Sequence, residues 1–438
     1  MKLRDYQLPA VEALVENPFL GLFADVGAGK TLMVIEALKR VGGRTLVICP
    51  LRAAKVVWPN EVDKWSDMTV ATVHGTPKKR AEIMDSGADL FVINPEGIQW
   101  LFDNYDLRES GITNLVIDES HLFKNPSSKR FKTLRKNITQ FKRRWIMTAT
   151  PATRNCLDLW SQLFIVDKGR SLGENVTRFR ARYAYKGGYM GRIWLPQHDA
   201  ADRITEDSRD IVHRVEVDIE DNTLFNDIVV QLPPSALKTY KLAEKQLRIE
   251  LEDSEKVTES AVAAYILMRQ ISNGSFYDDD GNVQRSHGEK SAAVKELHES
   301  LQGGSVLVFY QFRHDLLSLL DVFPDAECIN GDTKAHETAG IVSRFGSGKT
   351  SVLLAQPASA GTGLDGLQHN CSNIVWYGLP DDLSLYLQGN GRIAGHRANG
   401  KIVTISHIIS ERTVDEVIAD RLQSKDTSQL SILSAYRR

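Results

Sequence analysis

Two stretches of the chain contain Gly-x-Gly-Lys-Thr: ADVGAGKTLMVIEAL at residues 24–38 and RFGSGKTSVLLAQ at residues 344–356. A lysine in this setting holds phosphate oxygens, and the hydroxyl after it reaches a metal ion. Neither stretch meets the full Gly-x-x-x-x-Gly-Lys-Ser/Thr pattern, since Ala24 and Ser343 stand at the first glycine position. The flanking elements separate the two. A phosphate loop joins a strand to a helix, so that loop amides and the helix N-terminus point at the anion. FLGLF at residues 19–23 suits a buried strand, and Leu32, Ile35, Leu38 and Val41 recur at helical spacing after the loop. The second stretch runs from a helical pattern at 338–345 to a strand pattern at 351–355. Gly27, Gly29, Lys30 and Thr31 are therefore the expected phosphate-loop residues, and residues 346–350 read as a helix-to-strand turn.

An acidic pair supplies the other half of such chemistry. In LVIDESH, Asp118 and Glu119 follow an apolar run. In a magnesium-dependent NTPase one carboxylate holds the metal and its neighbour orients the attacking water. His121 alone would read as structural; at the fourth position of this box it is expected to couple two lobes. In MTATP, residues 147–151, Thr148 and Thr150 either hydrogen-bond to the acidic box or form an ordinary strand-end turn. Residues 124–144 contain nine Lys or Arg and no Asp or Glu. They read either as a solvated helix face or as a track for a phosphate backbone, with Lys129, Arg130, Lys132, Arg135 and Lys136 as its candidates. Phe179, Tyr183, Tyr185 and Tyr189 interleave with Arg178, Arg180, Arg182 and Lys186, a pattern open to base stacking or to packing. Trp58, Trp65 and Trp376 read as core.

The elements that must position these residues follow from the apolar pattern. With 438 residues the chain has room for two or three domains. A net charge of −2 excludes a uniformly basic nucleic-acid coat and leaves room for a local basic groove. Cys49, Cys156, Cys328 and Cys371 lie far apart with no Cys-x-x-Cys pair, which argues against zinc and a disulfide framework and suits a reducing cytoplasm. MKLRDYQLPA lacks the apolar core of a signal peptide, and no apolar run approaches bilayer length, so no membrane role is expected. Strand patterns at 45–49, 90–93, 115–117 and 145–147 alternate with helical ones, as a parallel sheet covered by helices requires. The rhythm fades after residue 165 and resumes after residue 290, with strand patterns at 306–309, 326–329, 352–355, 374–376 and 402–405. The expected architecture is α/β, with two RecA-like parallel-sheet lobes and helical insertions between them. Its boundaries are a first lobe at 1–165, a connection at 166–235, a helical protrusion at 236–290, a second lobe at 291–425 and a tail at 426–438. Residues 272–290 read as an exposed loop.

In order along the chain stand LRDYQ, ADVGAGKT, DESH, TATP, VLVFYQF, ING, ASAGTGLDGLQ and YLQGNGRI. This series resembles the Swi/Snf-like branch of the superfamily 2 helicase-type motors, in a compact phage or bacterial form. The resemblance implies an ATP hydrolase using ATP and Mg2+. Gln7 would read the adenine edge with Arg4 and Tyr6 nearby. Lys30 would contact the β and γ phosphates, Thr31 and Asp118 the magnesium, and Glu119 would act as general base. Gly363 and Asp365 would lie near the ribose, and Gln388 and Arg392 would reach the γ-phosphate. The family usually places a second arginine three residues after the first; Gly395 occupies that position here, and Arg397 is the nearest candidate. The implied output is ATP-driven movement along DNA, duplex preferred, single strands possible and RNA less expected. A strand-separating DNA or RNA helicase and a nucleotide-gated DNA-binding scaffold with poor turnover are the alternatives.

Overall fold

A computed structural model describes residues 3–187, 193–217, 222–253, 259–278, 280–360, 364–398 and 400–436. The chain divides into two units, Met1–Asp218 with Lys425–Arg438, and Ile219–Ser424.

In the first unit the strands are β1 (Phe19–Ala24), β2 (Arg44–Ile48), β3 (Val70–Thr72), β4 (Leu90–Ile93), β5 (Ile112–Asp118), β6 (Arg143–Thr148), β7 (Ala184–Gly187), β8 (Ile193–Pro196) and β9 (Val212–Val215). All but β7 and β8 form one sheet in the order β3-β4-β2-β5-β6-β1-β9. Every pairing in it is parallel. A parallel sheet is covered on both faces, so its central strands are continuous apolar runs rather than alternating ones. In β4, Leu90 and Val92 enter one core while Phe91 and Ile93 enter the other. The helix Lys30–Val41 buries Met33, Val34, Ile35, Ala37 and Leu38 against this sheet, carries Lys39 and Arg40 in its last turn, and stops at Gly42 with φ 64°.

β9 falls within residues read from the sequence as a connection. Only Val212 and Val215 of its four residues are buried, so it offers no apolar run, and its parallel pairing with β1 decides its conformation. Nearby, Phe179 and Tyr183 are core residues with ring centroids 4.9 Å apart, whereas Tyr185 is exposed and Tyr189 lies outside the described residues. Packing thus accounts for two of the four interleaved aromatics.

The second unit contains β10 (Thr223–Val230), β11 (Ser275–Tyr277), β12 (Val283–Arg285), β13 (Ser305–Phe309), β14 (Glu327–Ile329), β15 (Val352–Ala355), β16 (Cys371–Trp376) and β17 (Val403–Ser410). Six of these make a parallel sheet in the order β10-β17-β16-β13-β15-β14. Helices Pro234–Asp253 and Glu259–Asn273 precede the antiparallel pair β11–β12. That hairpin lies in the segment expected to be loop. Its turn is organised by Asp278, whose carboxylate accepts from the amides of Asp280 at 3.1 Å and Asn282 at 2.8 Å. The second Gly-Lys-Thr stretch is a helix-to-strand turn, as its pattern indicates. Helix Ala335–Gly346 ends there, Gly348 adopts φ 74°, and Lys349 is exposed before β15.

Lys290 locks the second unit together from a fully buried position. Its ammonium donates to Asn273 Oδ1 at 2.9 Å and to the Tyr377 carbonyl at 3.0 Å, and lies 2.6 Å from Asp415 Oδ2. All three donors of the ammonium are used. The final helix, Val414–Ala435, leads to residues that pack in the first unit, where Ile432, Leu433 and Tyr436 are buried. The Tyr436 hydroxyl is 2.7 Å from Ser208 Oγ, and its ring meets Phe23 edge-on at 5.6 Å.

Removing one partner of a buried ion pair leaves the other charge uncompensated, at a cost of about 3–5 kcal/mol. Lys290→Met is expected to destabilise the second unit by that amount in urea titrations. Lys290→Met combined with Asp415→Leu is expected to recover a large part of the loss.

Candidate nucleotide site

β1, β6 and β5 lie side by side, with Phe23 paired to Thr148 and Asp118 to Met147. Their carboxyl ends therefore bring the phosphate loop, the acidic pair and the threonine turn to one place on the first sheet. The loop follows β1 directly. Gly27 and Gly29 adopt φ 82° and 80°, a region that side chains with a Cβ rarely enter. At Gly29 a Cβ would also lie 2.5 Å from Gln7 Nε2. Gln7 is buried; its amide donates to the Ala28 carbonyl at 3.0 Å and accepts from the Arg4 backbone N–H at 3.0 Å. Tyr6 donates to the same carbonyl at 3.4 Å, and the Arg4 side chain is exposed. LRDYQ is thus fastened to the phosphate loop.

Lys30 opens the helix and folds its ammonium onto the carbonyls of Ala24 and Asp25, 3.1 Å from each. Burial lowers its pKa, against the opposing pull of Glu119, Asp118 and Asp25. Asp25 is itself held by Arg214 of β9, which pairs with its carboxylate and donates to the Val215 carbonyl at 2.8 Å. Nothing in the spacing of the sequence points to Arg214, whose partner lies nearly two hundred residues away.

Asp118 ends β5, and Glu119 turns the chain sharply with φ 58° and ψ 59°. A non-glycine residue held in that region costs about 1–3 kcal/mol and persists where its surroundings over-determine it. Here they do. Glu119 Oε2 accepts from the Thr148 hydroxyl at 3.3 Å and lies 3.2 Å from His121 Nδ1. That ring nitrogen is 3.5 Å from the hydroxyls of Thr148 and Thr150, and the Thr150 amide donates to Thr148 Oγ1 at 3.0 Å. Both threonines thus take part in the acidic box rather than in a strand-end turn alone. Behind the box, Ser120 donates to Gln162 Oε1 at 2.7 Å, and Gln162 donates on to the Pro151 and Asp158 carbonyls.

The two carboxylates are driven apart in acidity. Asp118 is pushed up to about 7, first by burial and then by the charge of Glu119, against the Trp58 indole and Lys30. Burial also raises Glu119, but His121, Lys30 and Thr148 together hold it below its ordinary value. Glu119 is therefore the more acidic member of the pair. The Thr31 hydroxyl and the Asp118 carboxylate are oxygen donors, suited to a hard cation. Among the described residues no group of three or more His, Cys, Asp or Glu could hold a metal. Water and phosphate oxygens would complete the shell, as Mg2+ prefers.

The second unit holds the remaining predicted residues. Gln388 is buried and donates to Ser384 Oγ at 3.2 Å, and Arg392 donates to the Leu364 carbonyl at 3.1 Å. Arg397 donates to the Gly391 carbonyl at 2.7 Å and to Asp365 Oδ1 at 3.4 Å. Gly395, with φ 62°, starts the short turn that sets Arg397 there. The Asp365 carboxyl is raised by partial burial, but Gln368 and Arg397 bring it below its ordinary value. Gly363 lies outside the described residues.

On the helix Lys129–Asn137, Phe131, Thr133 and Leu134 are buried, while Lys129, Lys132 and Lys136 are exposed. Arg130 comes within 3.9 Å of Glu96. Arg135 donates to the Glu174 carbonyl at 3.0 Å and covers the Phe164 ring. Arg143 and Arg144 are spent on backbone carbonyls. Within the basic stretch Lys129, Lys132 and Lys136 thus face solvent, whereas Lys124, which donates to Thr153, and Arg135, Arg143 and Arg144 bond within the unit.

A glycine-bearing strand-to-helix loop beside a strand-end carboxylate pair on one parallel sheet defines a nucleoside-triphosphatase lobe of RecA type. Residues 6–186 match the SNF2-related domain, and residues 289–397 match the helicase conserved C-terminal domain. The chain is 31% identical to the putative protein p41 of Acyrthosiphon pisum secondary endosymbiont phage 1, over 99% of this chain and 98% of that protein. It is 25% identical over 97% of its length to the SWI/SNF chromatin-remodeling complex subunit snf22 of Schizosaccharomyces pombe, and spans 27% of that protein. A solved Sulfolobus solfataricus SWI2/SNF2 ATPase core in complex with dsDNA aligns at TM-score 0.45 and 20% identity, over 99% of this chain and 94% of that one. The chain belongs to the Swi/Snf-like branch of helicase superfamily 2, a class of ATP hydrolase.

Lys30→Ala is expected to abolish ATP turnover, and Lys349→Ala to leave most of it, in a phosphate-release assay. Glu119→Gln keeps shape but cannot accept a proton. Its kcat is expected to fall by roughly 10²–10⁴, with ATP affinity retained.

Proposed function

We propose that this chain is an ATP-dependent translocase on duplex DNA, whose movement remodels the duplex or displaces bound proteins. The observation that carries the reading is the convergence of Lys30, Asp118 and Glu119 at the carboxyl ends of β1 and β5. Similarity to a subunit of a chromatin-remodelling complex supports DNA as the lattice. Phosphoryl transfer asks for positioning and charge neutralisation. Lys30 and the loop amides would hold the β and γ phosphates. Thr31 and Asp118 would hold Mg2+, which when bound offsets phosphate charge. Glu119, ionised and fixed by Thr148 and His121, would take the proton of the attacking water. Arg392, Arg397 and Gln388 are the second unit's proposed contribution toward the γ-phosphate, Asp365 toward the ribose, and Gln7 with Arg4 toward the adenine. No helix among the described residues is long and apolar enough to cross a membrane. The similarity to a phage protein supports a bacterial or phage-infected cytoplasm as the setting.

The test is ATP turnover measured in parallel with no nucleic acid, single-stranded DNA, duplex DNA and RNA, together with displacement of a third strand from a duplex. Duplex DNA is expected to stimulate most and the third strand to be released. Unwinding of tailed duplexes without third-strand release would favour the strand-separating alternative.

Lys129, Lys132 and Lys136 are the residues to remove for the lattice contact. Their joint replacement by Ala is expected to weaken DNA binding and to flatten the slope of log affinity against log salt by about 0.9 per lost contact. The melting temperature serves as the control, because exposed substitutions of this kind change stability by only about 0.5 kcal/mol each.

A further inference from the structure

Trp58 has no role in the reading above and looks like a core residue, being fully buried between helix and sheet. Its indole N–H, however, donates to Asp118 Oδ2 at 3.1 Å. A buried indole needs an acceptor, and the other fully buried tryptophans of this unit use backbone carbonyls: Trp145 that of Asn17 and Trp160 that of Gly173. Trp58 instead spends its only donor on the carboxylate assigned to the metal.

The local backbone is built for this reach. Helix Trp58–Trp65 is preceded by a π-turn, Ala53–Val57, in which the Trp58 amide bonds the Ala53 carbonyl five residues back. Pro59 follows; it lacks an N–H, and its ring would clash with the Lys55 carbonyl in a regular helix. The wider turn accommodates the ring. It also releases the Ala54 carbonyl from the usual four-residue bond, and the Thr72 hydroxyl takes up that carbonyl at 2.8 Å. Single π-turns of this kind are frequent at functional sites. Cys49, at the end of β2, lies on the same side. Its thiol is pushed up by burial and then by the charge of Asp118.

We propose that Trp58 is a positioning residue for Asp118: its N–H fixes the plane of the carboxylate and holds it ready for a divalent cation. The proposal rests on the reading of Asp118 as the metal carboxylate. An N–H donated to a charged acceptor is worth about 1.5–3 kcal/mol, roughly tenfold or more in an equilibrium constant. The metal's dependence on the indole should be of that order.

The experiment is equilibrium binding of a fluorescent ATP analogue by the full chain during Mg2+ titration, with no turnover required. Two variants remove the N–H. Trp58→Phe leaves a smaller ring. Benzothienylalanine at position 58 replaces the N–H by sulfur and keeps the shape, so it separates the hydrogen bond from packing. In both, the Mg2+ concentration for half-maximal binding should rise about tenfold, while analogue affinity without Mg2+ changes less than twofold. In an Asp118→Asn background the change at position 58 should have no further effect. An unchanged Mg2+ titration in the benzothienylalanine protein, with Asp118→Asn shifting it, overturns the role of Trp58 and leaves the nucleotide site intact. An unchanged titration in Asp118→Asn removes Asp118 from the metal and the proposal with it.

Discussion

Two carboxylates on consecutive residues, drawn partly out of water at the end of a buried strand, repel each other and lose hydration together. Asp118 and Glu119 are in that position, and much of the first unit serves to make it tolerable. One answer is asymmetry. Glu119 gathers His121 and Thr148 and stays the more acidic, whereas Asp118, with the Trp58 indole and the Glu119 amide, is left the less acidic of the two. The other answer is Lys30, whose ammonium is attracted by both acids and lowered by its own burial. Each charge here is unfavourable alone and acceptable in company. The left-handed backbone at Glu119 belongs to the same arrangement, since strain at one residue is held by the bonds its neighbours make.

Much of this was legible in the residues. Continuous apolar runs gave β1, β2, β4, β5 and β6 with small changes at the ends, because a strand covered on both faces has to be apolar throughout. The order of strand, loop and helix separated Lys30 from Lys349 where spelling alone could not. What the pattern hid shares one cause. β9 and β10 take their conformation from neighbours distant in the chain, and neither presents an unbroken buried run. The hairpin β11–β12 has strands of three residues each, too short to show a period, and its turn is organised by Asp278. Trp58 and Arg214 act across long separations, and a tryptophan in an amphipathic helix gives no sign that its N–H faces an acid.

The basic stretch shows how far composition alone reaches. Nine cations without an acid look like one surface, yet the fold gives some of them partners inside the unit and leaves others in solvent. Planar guanidinium groups at Arg135, Arg143 and Arg144 cover rings and cap carbonyls, tasks to which their several donors are suited. The flexible ammonium groups of Lys129, Lys132 and Lys136 remain in solvent. Arg397 illustrates the same thrift in the second unit, where Asp365 and the Gly391 carbonyl hold it in a defined place.

Tyr436, packed against Phe23 and bonded to Ser208, makes the first unit discontinuous in the chain. Phe23 belongs to the strand that feeds the phosphate loop, and the group that finishes its packing is encoded more than four hundred residues later. On the ribosome, then, the unit that begins first is completed last. The whole second unit is synthesised, free to collapse on its own sheet, before Ile432, Leu433 and Tyr436 emerge to close the first. Such a contact carries a large loop-closure entropy and forms late. The packing around β1 is thereby finished only after the second unit has been made, and a nascent chain stalled earlier would carry a Phe23 that still lacked one wall.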